Sequence, residues 1–333
     1  MSAAGPLIDQ FGRVHTSLRI SVTDRCNIRC FYCMPNENVQ FRPRQEILTF
    51  EEIVRFARVV AGLGVNKLRL TGGEPLVRSD LVKLVSALNQ VPGIQETALT
   101  TNGILLEEFA EPLKAAGLTR LNISLDTLSE QTFLRIARRD GLDRVLAGIE
   151  AAKRAGFKQI RLNAVAMKGV TESELVPLTQ YALDRGMQMR FIEFMPLDAE
   201  QNWQAELVLS GEEIRRALEE ALAPLEPDER TDPSQPASDF HFTDGRGSVG
   251  FINPVSQPFC DQCNRLRLTA EGQIRNCLFS TVEWDARALL RSGASDEQIA
   301  DLIRDCVQAK KPGHGIDEPG FLRPERAMYQ IGG

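Results

Sequence analysis

The chain has 333 residues, 43% of them hydrophobic, and a formal net charge of −6. That length can bury one large core, or one core with an appended domain. The acidic balance argues against nucleic acid or an anionic membrane as a partner, because both favour a basic protein surface. The sequence also lacks the pattern of a signal peptide and any apolar run as long as a membrane span. We therefore expect a cytoplasmic, reducing location.

Six β-rich runs alternate with amphipathic helical patterns in the first two thirds of the chain. The runs cover residues 18–23, 67–72, 97–102, 120–126, 160–167 and 189–195. Short connections between six β/α units predict a parallel sheet with right-handed crossovers. Six strands are too few for a closed eight-stranded barrel. The predicted fold class is therefore α/β, an incomplete (β/α)6 TIM-like barrel, with a doubly wound sheet as the alternative.

Local signals mark where the predicted helices begin and end. Capping boxes, which favour a helix start, occur at Thr49–Glu52, Thr171–Glu174, Ser210–Glu213 and Ser295–Gln298. Glycines able to end a helix in the left-handed conformation are Gly64, Gly117, Gly156 and Gly186. An apolar residue and the next β-rich run follow each glycine, so the chain is predicted to turn back to the sheet there.

The predicted strands carry polar residues at alternate positions, where a filled barrel interior would carry Val, Ile or Leu. These residues are Arg19, Ser21, Arg69, Thr71, Asn122, Ser124, Asp126, Arg161 and Asn163. Because helices cover the other face of such a sheet, the polar set must point inward. Burying so many polar groups is costly unless something hydrogen-bonds to them. We therefore expect a cavity that binds a polar, anionic ligand. In the last run Arg190 and Glu193 lie on opposite faces, so the pattern there is ambiguous.

Six of the seven cysteines form two triplets. They are Cys26-x3-Cys30-x2-Cys33 and Cys260-x2-Cys263-x13-Cys277. Three thiolates can hold three corners of a [4Fe–4S] cluster and leave the fourth iron open to a small molecule. Structural zinc needs four ligands and disulfides need an oxidising compartment, so the spacing favours iron–sulfur over either. Cys306 lies on the apolar side of a predicted helix and is expected in the core.

A change in composition divides the chain. Residues 223–239 are rich in Pro and Asp and have no periodicity, which predicts a linker or long loop. We therefore expect a barrel over residues 1–225 and a C-terminal α+β region over 226–333 that carries the second triplet. The Gly/Pro-rich end of this region would usually be frayed if nothing held it.

The motifs around the first triplet resemble those of the radical S-adenosylmethionine (SAM) superfamily. Tyr32 precedes the third cysteine, and the segments GGEP, TTNG and NISLD follow in order at residues 72–75, 100–103 and 122–126. The second triplet and the terminal Gly332-Gly333 narrow the resemblance to the GTP 3′,8-cyclase family, which begins molybdenum cofactor biosynthesis. This resemblance extends from about Gly12 to the last residue.

The resemblance implies SAM and two [4Fe–4S] clusters as cofactors, with one cluster on each triplet. For SAM it implies Tyr32, Gly73, Ser124 and Met195. For GTP it implies Arg19, Arg69, Thr100 and Arg161, with Arg265 and Arg267 near the second cluster. The family pattern has lysine at position 161, so the phosphate contact there should differ in reach. Gly332 and Gly333 would enter the active site as catalytic residues.

The implied reaction converts GTP into (8S)-3′,8-cyclo-7,8-dihydro-GTP. Reductive cleavage of SAM gives methionine and a 5′-deoxyadenosyl radical, which removes the ribose 3′ hydrogen, and the resulting carbon radical attacks C8 of guanine. The implied partners are a low-potential electron donor of the flavodoxin or ferredoxin type, cyclic pyranopterin monophosphate synthase as the next enzyme, and a second copy in a homodimer.

Two other interpretations remain open on the sequence. The first is a different radical SAM enzyme with an auxiliary cluster, such as one that modifies a peptide, although inward arginines favour a phosphorylated substrate. The second is an iron–sulfur electron carrier, which would not need a large polar cavity and would normally bind each cluster with four protein ligands.

Overall fold

The computed structural model describes residues 5–35, 37–230, 232–316 and 318–332. Its centre is a parallel sheet whose first six strands follow one another in chain order. The strands are β1 (Ser17–Ser21), β2 (Lys67–Thr71), β3 (Glu96–Thr101), β4 (Arg120–Ser124), β5 (Ile160–Ala166) and β6 (Gln188–Glu193). All six predicted strands are therefore confirmed to within two residues at each end.

The helices that connect these strands cover one face of the sheet. They are α1 (Phe50–Gly62), α2 (Leu81–Asn89), α3 (Leu106–Ala115), α4 (Glu130–Ala137), α5 (Leu142–Arg154) and α6 (Leu175–Leu183). After β6 come α7 (Gly211–Ala221), α8 (Ala286–Arg291), α9 (Asp296–Gln308) and the short α10 (Met328–Ile331). In the described ranges no helix is long and apolar enough to cross a membrane.

The local stop and start signals are confirmed with one exception. Gly64, Gly117, Gly156 and Gly186 have φ of 98°, 93°, 80° and 67°. The boxes that begin α1, α7 and α9 form both of their hydrogen bonds. The box predicted at Thr171 is wrong. The Thr171 hydroxyl accepts from the Met167 N–H at 2.7 Å, and the Glu174 carboxylate accepts from the Leu128 N–H at 3.0 Å. Both side chains therefore bond outside the helix that they were expected to cap.

The C-terminal part of the chain extends the same sheet at both edges. Its strands are β7 (Leu225–Pro227), β8 (Ser238–Phe242), β9 (Ser248–Ile252), β10 (Arg265–Leu268), β11 (Gln273–Arg275) and β12 (Trp284–Asp285). β9 pairs parallel with β6, and β10 pairs parallel with β1. The remaining four pair antiparallel outside them, which gives the order β12-β11-β10-β1-β2-β3-β4-β5-β6-β9-β8-β7.

This topology confirms an incomplete, TIM-like barrel, because β12 and β7 stand at opposite ends of the strand order. Part of the predicted linker is ordered as β7 and the start of β8. The division of the chain at residue 225 stays a prediction, since the sheet includes strands from both sides of that position.

Each central strand presents apolar side chains to the helices and polar ones to the interior. Leu18, Leu68, Leu121 and Leu162 are all at most 1% exposed within the hydrophobic core. Their neighbours in sequence point the opposite way, because successive strand residues alternate between faces. Cys306 is fully buried in the same core, as predicted.

Candidate active site

The inward-facing strand residues enclose a cavity of about 350 Å³. Twelve of the sequence-predicted site residues line it: Arg19, Tyr32, Arg69, Thr100, Ser124, Arg161, Met195, Cys260, Cys263, Arg265, Arg267 and Cys277. The cavity therefore brings together the predicted SAM, GTP and second-cluster residues. The three cysteines of the first triplet, Gly73 and Gly332 are not on its wall.

The first triplet occupies the loop that follows β1. Cys33 and Met34 both donate their backbone N–H to the Cys30 carbonyl at 2.9 Å. The loop is fixed to the end of α4, since the Arg29 N–H donates to the Ala137 carbonyl at 2.8 Å. The three thiols are free and half-buried. This turn brings three cysteines from a short segment to one side of the barrel opening.

The three thiols of this loop are close enough to one another for the charge of one to affect the pKa of another. Burial raises the pKa of Cys26 to about 11 and that of Cys33 to about 12. Burial also raises the pKa of Cys30, and the neighbouring Cys26 and Cys33 raise it further. Iron would reverse these shifts, because a coordinating thiol is deprotonated. Three free, mutually close thiols are the donor set that an iron–sulfur cluster uses, so the residues present fit the group. A site for one metal ion is a different arrangement. In the part of the chain that the structure describes, no three His, Cys, Asp or Glu side chains are placed so that they could hold one metal ion together.

Gly73 lies where β2 ends and touches the loop that leads into the first triplet. A Cβ at this position would overlap the Arg25 carbonyl oxygen and would lie 2.8 Å from that of Asp24. The Gly73 N–H donates to the Thr23 carbonyl at 2.7 Å. The contact with the triplet loop is therefore one physical reason for glycine here. Its predicted contact with SAM stays a prediction.

Tyr32 has a hydrogen-bond partner that the sequence did not identify. Its hydroxyl donates to the Asp126 carboxylate at 2.6 Å, and the Val165 N–H donates to the same carboxylate at 2.8 Å. Burial raises the pKa of Asp126 to about 6. The alternation of the predicted run 120–126 placed Asp126 inward but assigned it no role. The structure makes it the group that orients the tyrosine of the cysteine motif.

Among the described residues, three arginines on the cavity wall form no ion pair with a carboxylate. The side chains of Arg19, Arg69 and Arg161 make no hydrogen bond or ion pair with any described residue, although their backbones pair within the sheet. By contrast, Arg120 pairs with Glu96 and Arg190 pairs with Asp239 at 3.0 Å. Burial lowers the pKa of Arg19 to about 10, and the charge of Arg265 lowers it further.

Arg69 is the centre of this cation group. Burial lowers its pKa well below the usual value, and the charges of Arg19, Arg120 and Arg161 add to the effect. Buried like charges without counter-ions are unfavourable, and an anion between them would remove the penalty. Guanidinium groups also match phosphate oxygens with bidentate hydrogen bonds. This part of the cavity is therefore suited to a polyanionic ligand.

The second triplet surrounds the start of the β10–β11 hairpin. Cys260 and Cys263 precede β10, and Cys277 follows β11. The Cys263 sulfur accepts from Arg265 Nη2 at 3.2 Å and from Lys310 Nζ at 3.5 Å. Although burial opposes it, these two cations lower the pKa of the Cys263 thiol to about 6. All three thiols are free and half-buried. This triplet therefore also presents a set of donors that fits a cluster.

The C-terminal tail is folded against the ends of β1 and β2. Gly332 is buried and has a φ of 83°. A Cβ on it would lie 2.9 Å from both the Ser21 Cβ and the Thr71 Cγ2. The Arg267 guanidinium donates to the Gly332 carbonyl. A tail of this composition would fray in isolation, and these contacts explain why it does not. Gly333 lies outside the described residues.

Arg326 anchors the start of this tail, and no pattern in the sequence indicated this role. Its guanidinium pairs with Glu271 and, at 2.7 Å, with Glu283. The same Glu283 pairs with Arg275 of β11. The tail is thus fixed to the hairpin of the second triplet by charged groups that are mostly buried.

Two consecutive parts of the chain match known protein families. Residues 20–182 match the radical SAM superfamily, and residues 187–316 match the family described as Molybdenum Cofactor Synthesis C. The crystal structure of Streptococcus suis SuiB bound to S-adenosylmethionine has a TM-score of 0.62 at 18% identity, covering 87% of this chain and 68% of that one. At that identity the likeness concerns the fold alone.

Two relatives match over nearly the whole chain. The GTP 3′,8-cyclase of Rhodopirellula baltica is 52% identical over 98% of this chain and 92% of its own. That of Mycobacterium sp. (strain KMS) is 47% identical over 100% of this chain and 95% of its own. Together with the two family matches in this order, these relatives establish that the chain belongs to the radical SAM superfamily and, within it, to the GTP 3′,8-cyclase family.

Proposed function

We propose that the chain catalyses the radical cyclisation of GTP to (8S)-3′,8-cyclo-7,8-dihydro-GTP, the first step of molybdenum cofactor biosynthesis. The observation that carries this proposal is a group of arginines whose side chains form no ion pair with any described residue, Arg19, Arg69 and Arg161, in the cavity that the second triplet and Tyr32 also line. A bound triphosphate would supply the negative counter-charge for these three guanidinium groups. Membership of the radical SAM superfamily implies a [4Fe–4S] cluster and SAM.

The first triplet would hold the cluster on Cys26, Cys30 and Cys33, and its chemistry is the one-electron reduction of SAM. The protein's own contribution is position. Tyr32 is held in place by Asp126, and Ser124 and Met195 lie on the wall of the same cavity. We assign Tyr32, Gly73, Ser124 and Met195 to SAM binding, with Gly73 acting through its lack of a side chain.

Arg19, Arg69 and Arg161 bind the triphosphate in this proposal, and Thr100 adds a hydroxyl on the neighbouring strand. Arg120 and Arg190 are not assigned, because each already has a carboxylate partner. Arg161 replaces the lysine expected of the family and keeps the charge. Its planar fork gives two parallel hydrogen bonds to one phosphate where an ammonium acts as a point charge.

The second triplet would hold another [4Fe–4S] cluster next to the guanine base, with Arg265 hydrogen-bonded to a ligand sulfur. Arg267 holds the tail through the Gly332 carbonyl, and in this proposal Gly332 acts next to the reacting ribose together with Gly333, which lies outside the described residues. A cavity closed in this way excludes water and other molecules that would quench a radical. We further propose a cytoplasmic location, a low-potential electron donor, cyclic pyranopterin monophosphate synthase as the next enzyme, and a homodimer.

The test is an anaerobic incubation of reduced, cluster-loaded protein with SAM and GTP. Both 5′-deoxyadenosine and the cyclised nucleotide should form. Arg69→Met should weaken GTP binding about tenfold, the value of one charge-assisted hydrogen bond. Arg58→Met removes an exposed arginine of α1 and is the matched control, which should behave like wild type. Formation of 5′-deoxyadenosine without any cyclised nucleotide would contradict the proposed substrate.

A further inference from the structure

One lysine of this chain is buried beside the second triplet. Lys310 follows α9 and is only 3% exposed. Its ammonium donates to the Asn276 carbonyl at 2.6 Å, to the Arg265 carbonyl at 3.0 Å and to the Cys263 sulfur at 3.5 Å. All three protons of the ammonium therefore have an acceptor, and one acceptor is a cysteine of the triplet.

This ammonium has no carboxylate partner among the described residues. Within the described residues Lys310 forms no ion pair with Asp or Glu, and its charged neighbours include the cations Arg13 and Arg265. The nearby groups that can carry negative charge are thiols, namely Cys263 and Cys277 of the triplet and Cys306, whose burial in the core raises its pKa and so opposes its ionisation. A buried cation without a counter-ion is strongly unfavourable. The thiolates of the triplet are therefore its natural counter-ions.

C-terminal capping of α9 by Lys310 does not account for these contacts. A lysine near a helix C-terminus can bond the last carbonyls of that helix and can do so while exposed. Lys310 instead bonds two carbonyls outside α9, one on β10 and one just after β11. Arg265 lies two residues after Cys263, and Asn276 directly precedes Cys277. The ammonium thus bridges the backbone beside two different cysteines.

The segment that carries Lys310 is also fixed to Cys260, the remaining cysteine of the second triplet. Arg13 donates to the carbonyls of Cys260 at 2.9 Å, Lys311 at 2.7 Å and Pro312 at 2.9 Å. The Gln10 amide donates to the Lys310 carbonyl at 3.0 Å. Lys310 is therefore part of a hydrogen-bond network that reaches the backbone at or beside all three cysteines.

We propose that Lys310 is a positioning residue for the second cluster, acting as a buried counter-ion that fixes Cys263 and Cys277 and stabilises the reduced form of the cluster. This inference rests on the proposed function, because it requires a cluster on the second triplet. Hydrogen bonds to ligand sulfur and net charge set the reduction potential of such clusters. A positive donor favours the more negative, reduced state, so Lys310 raises the potential.

The test is a reductive titration of the full-length, cluster-loaded protein with dithionite, followed by electron paramagnetic resonance. The signal of the second cluster is the one that Cys277→Ser removes. Lys310→Met, which keeps the length of the side chain but not the charge, should lower the one-electron equilibrium constant for reduction at least tenfold, which corresponds to about 59 mV. Lys310→Arg, which keeps the positive charge, should recover most of the reduction potential that Lys310→Met loses. Lys311→Met, which changes the exposed lysine next to it, should leave the potential at the wild-type value.

The outcomes separate this inference from the proposed reaction. An unchanged potential in Lys310→Met with full iron content would overturn it. If Lys310→Met does not load the second cluster, Lys310→Arg must still load it. Loss of the cluster from both variants would overturn the inference, because the shape of lysine and not its charge would then be required. If Cys277→Ser does not lose about four iron atoms per chain, the second cluster itself is wrong. Absence of cyclised nucleotide from protein carrying both clusters would contradict only the reaction.

Discussion

Replacing Gly332 with alanine tests whether the tail is part of the active site. The added Cβ would lie 2.9 Å from the Ser21 Cβ and from the Thr71 Cγ2. Carbon atoms prefer a separation of about 3.5–4.0 Å, so the tail must move by roughly 0.6 Å or more. The φ of 83° adds strain of about 1–2 kcal/mol for a residue with a side chain. The substitution therefore displaces the backbone that Arg267 holds.

A displacement of this size should affect catalysis far more than folding. A misplacement of about 1 Å near the chemistry can cost about 100-fold in rate, so we expect the rate of GTP cyclisation to fall about ten- to 100-fold. The three atoms nearest to the added methyl group belong to Ser21 and Thr71, not to the first-cluster loop, so SAM binding and iron content should stay close to wild type. The measurement is cyclised nucleotide formed per 5′-deoxyadenosine, together with the thermal midpoint Tm.

Gly320→Ala is the matched control for this experiment. Gly320 also lies in the C-terminal segment, but it is exposed, no φ in the left-handed region is required of it, and a Cβ there would meet nothing within 4 Å. Its alanine variant should be indistinguishable from wild type. If Gly332→Ala keeps both the wild-type product ratio and the wild-type turnover, the tail has no part in the reaction.

Three further predictions concern the two triplets and the cation group. Cys30→Ser should abolish formation of 5′-deoxyadenosine, because one of the three thiol ligands is lost, and normal amounts of it would remove the first cluster from this loop. Cys277→Ser should still cleave SAM but should form no cyclised nucleotide, so full cyclase activity in this variant would contradict a role for the second triplet. Arg69→Met should raise the Tm of the protein without GTP by several degrees, because it removes a buried cation that has no counter-ion. A lower Tm in differential scanning calorimetry would show that Arg69 stabilises the empty protein.

Patterns in short segments of the sequence predicted the barrel, because each of its β/α units is contiguous in the chain. A β-rich run, a helix and a terminating glycine such as Gly117 lie within about 30 residues, as in a typical βαβ unit. The partners of β9 and β10 were not predictable in this way, since each strand pairs with one far away in the sequence. The wrong capping box at Thr171 has a similar cause, because Glu174 bonds the distant Leu128.

The candidate site shows the same limit. Cysteine spacing and strand alternation pointed to the triplets and to inward arginines, since both signals are contained in short segments. Lys310 and Arg326 gave no such signal, because a basic residue in a polar segment usually indicates a solvated surface. Only the tertiary contacts of Lys310 with Cys263 and of Arg326 with Glu271 distinguish them from ordinary surface charges.

The pairing of β10 with β1 also limits how early β1 can be fully paired during folding. Ser17 pairs with Arg265, so the first strand receives one of its two neighbours only when most of the chain has been synthesised. Contacts this distant in sequence slow folding, because the loop-closure entropy comes before the stabilising contacts. Until then β1 is an open edge, and open edges of nascent sheets promote association between chains. A chain that ended at residue 225 would keep both β1 and β6 in that state, which makes soluble expression of the isolated N-terminal part unfavourable.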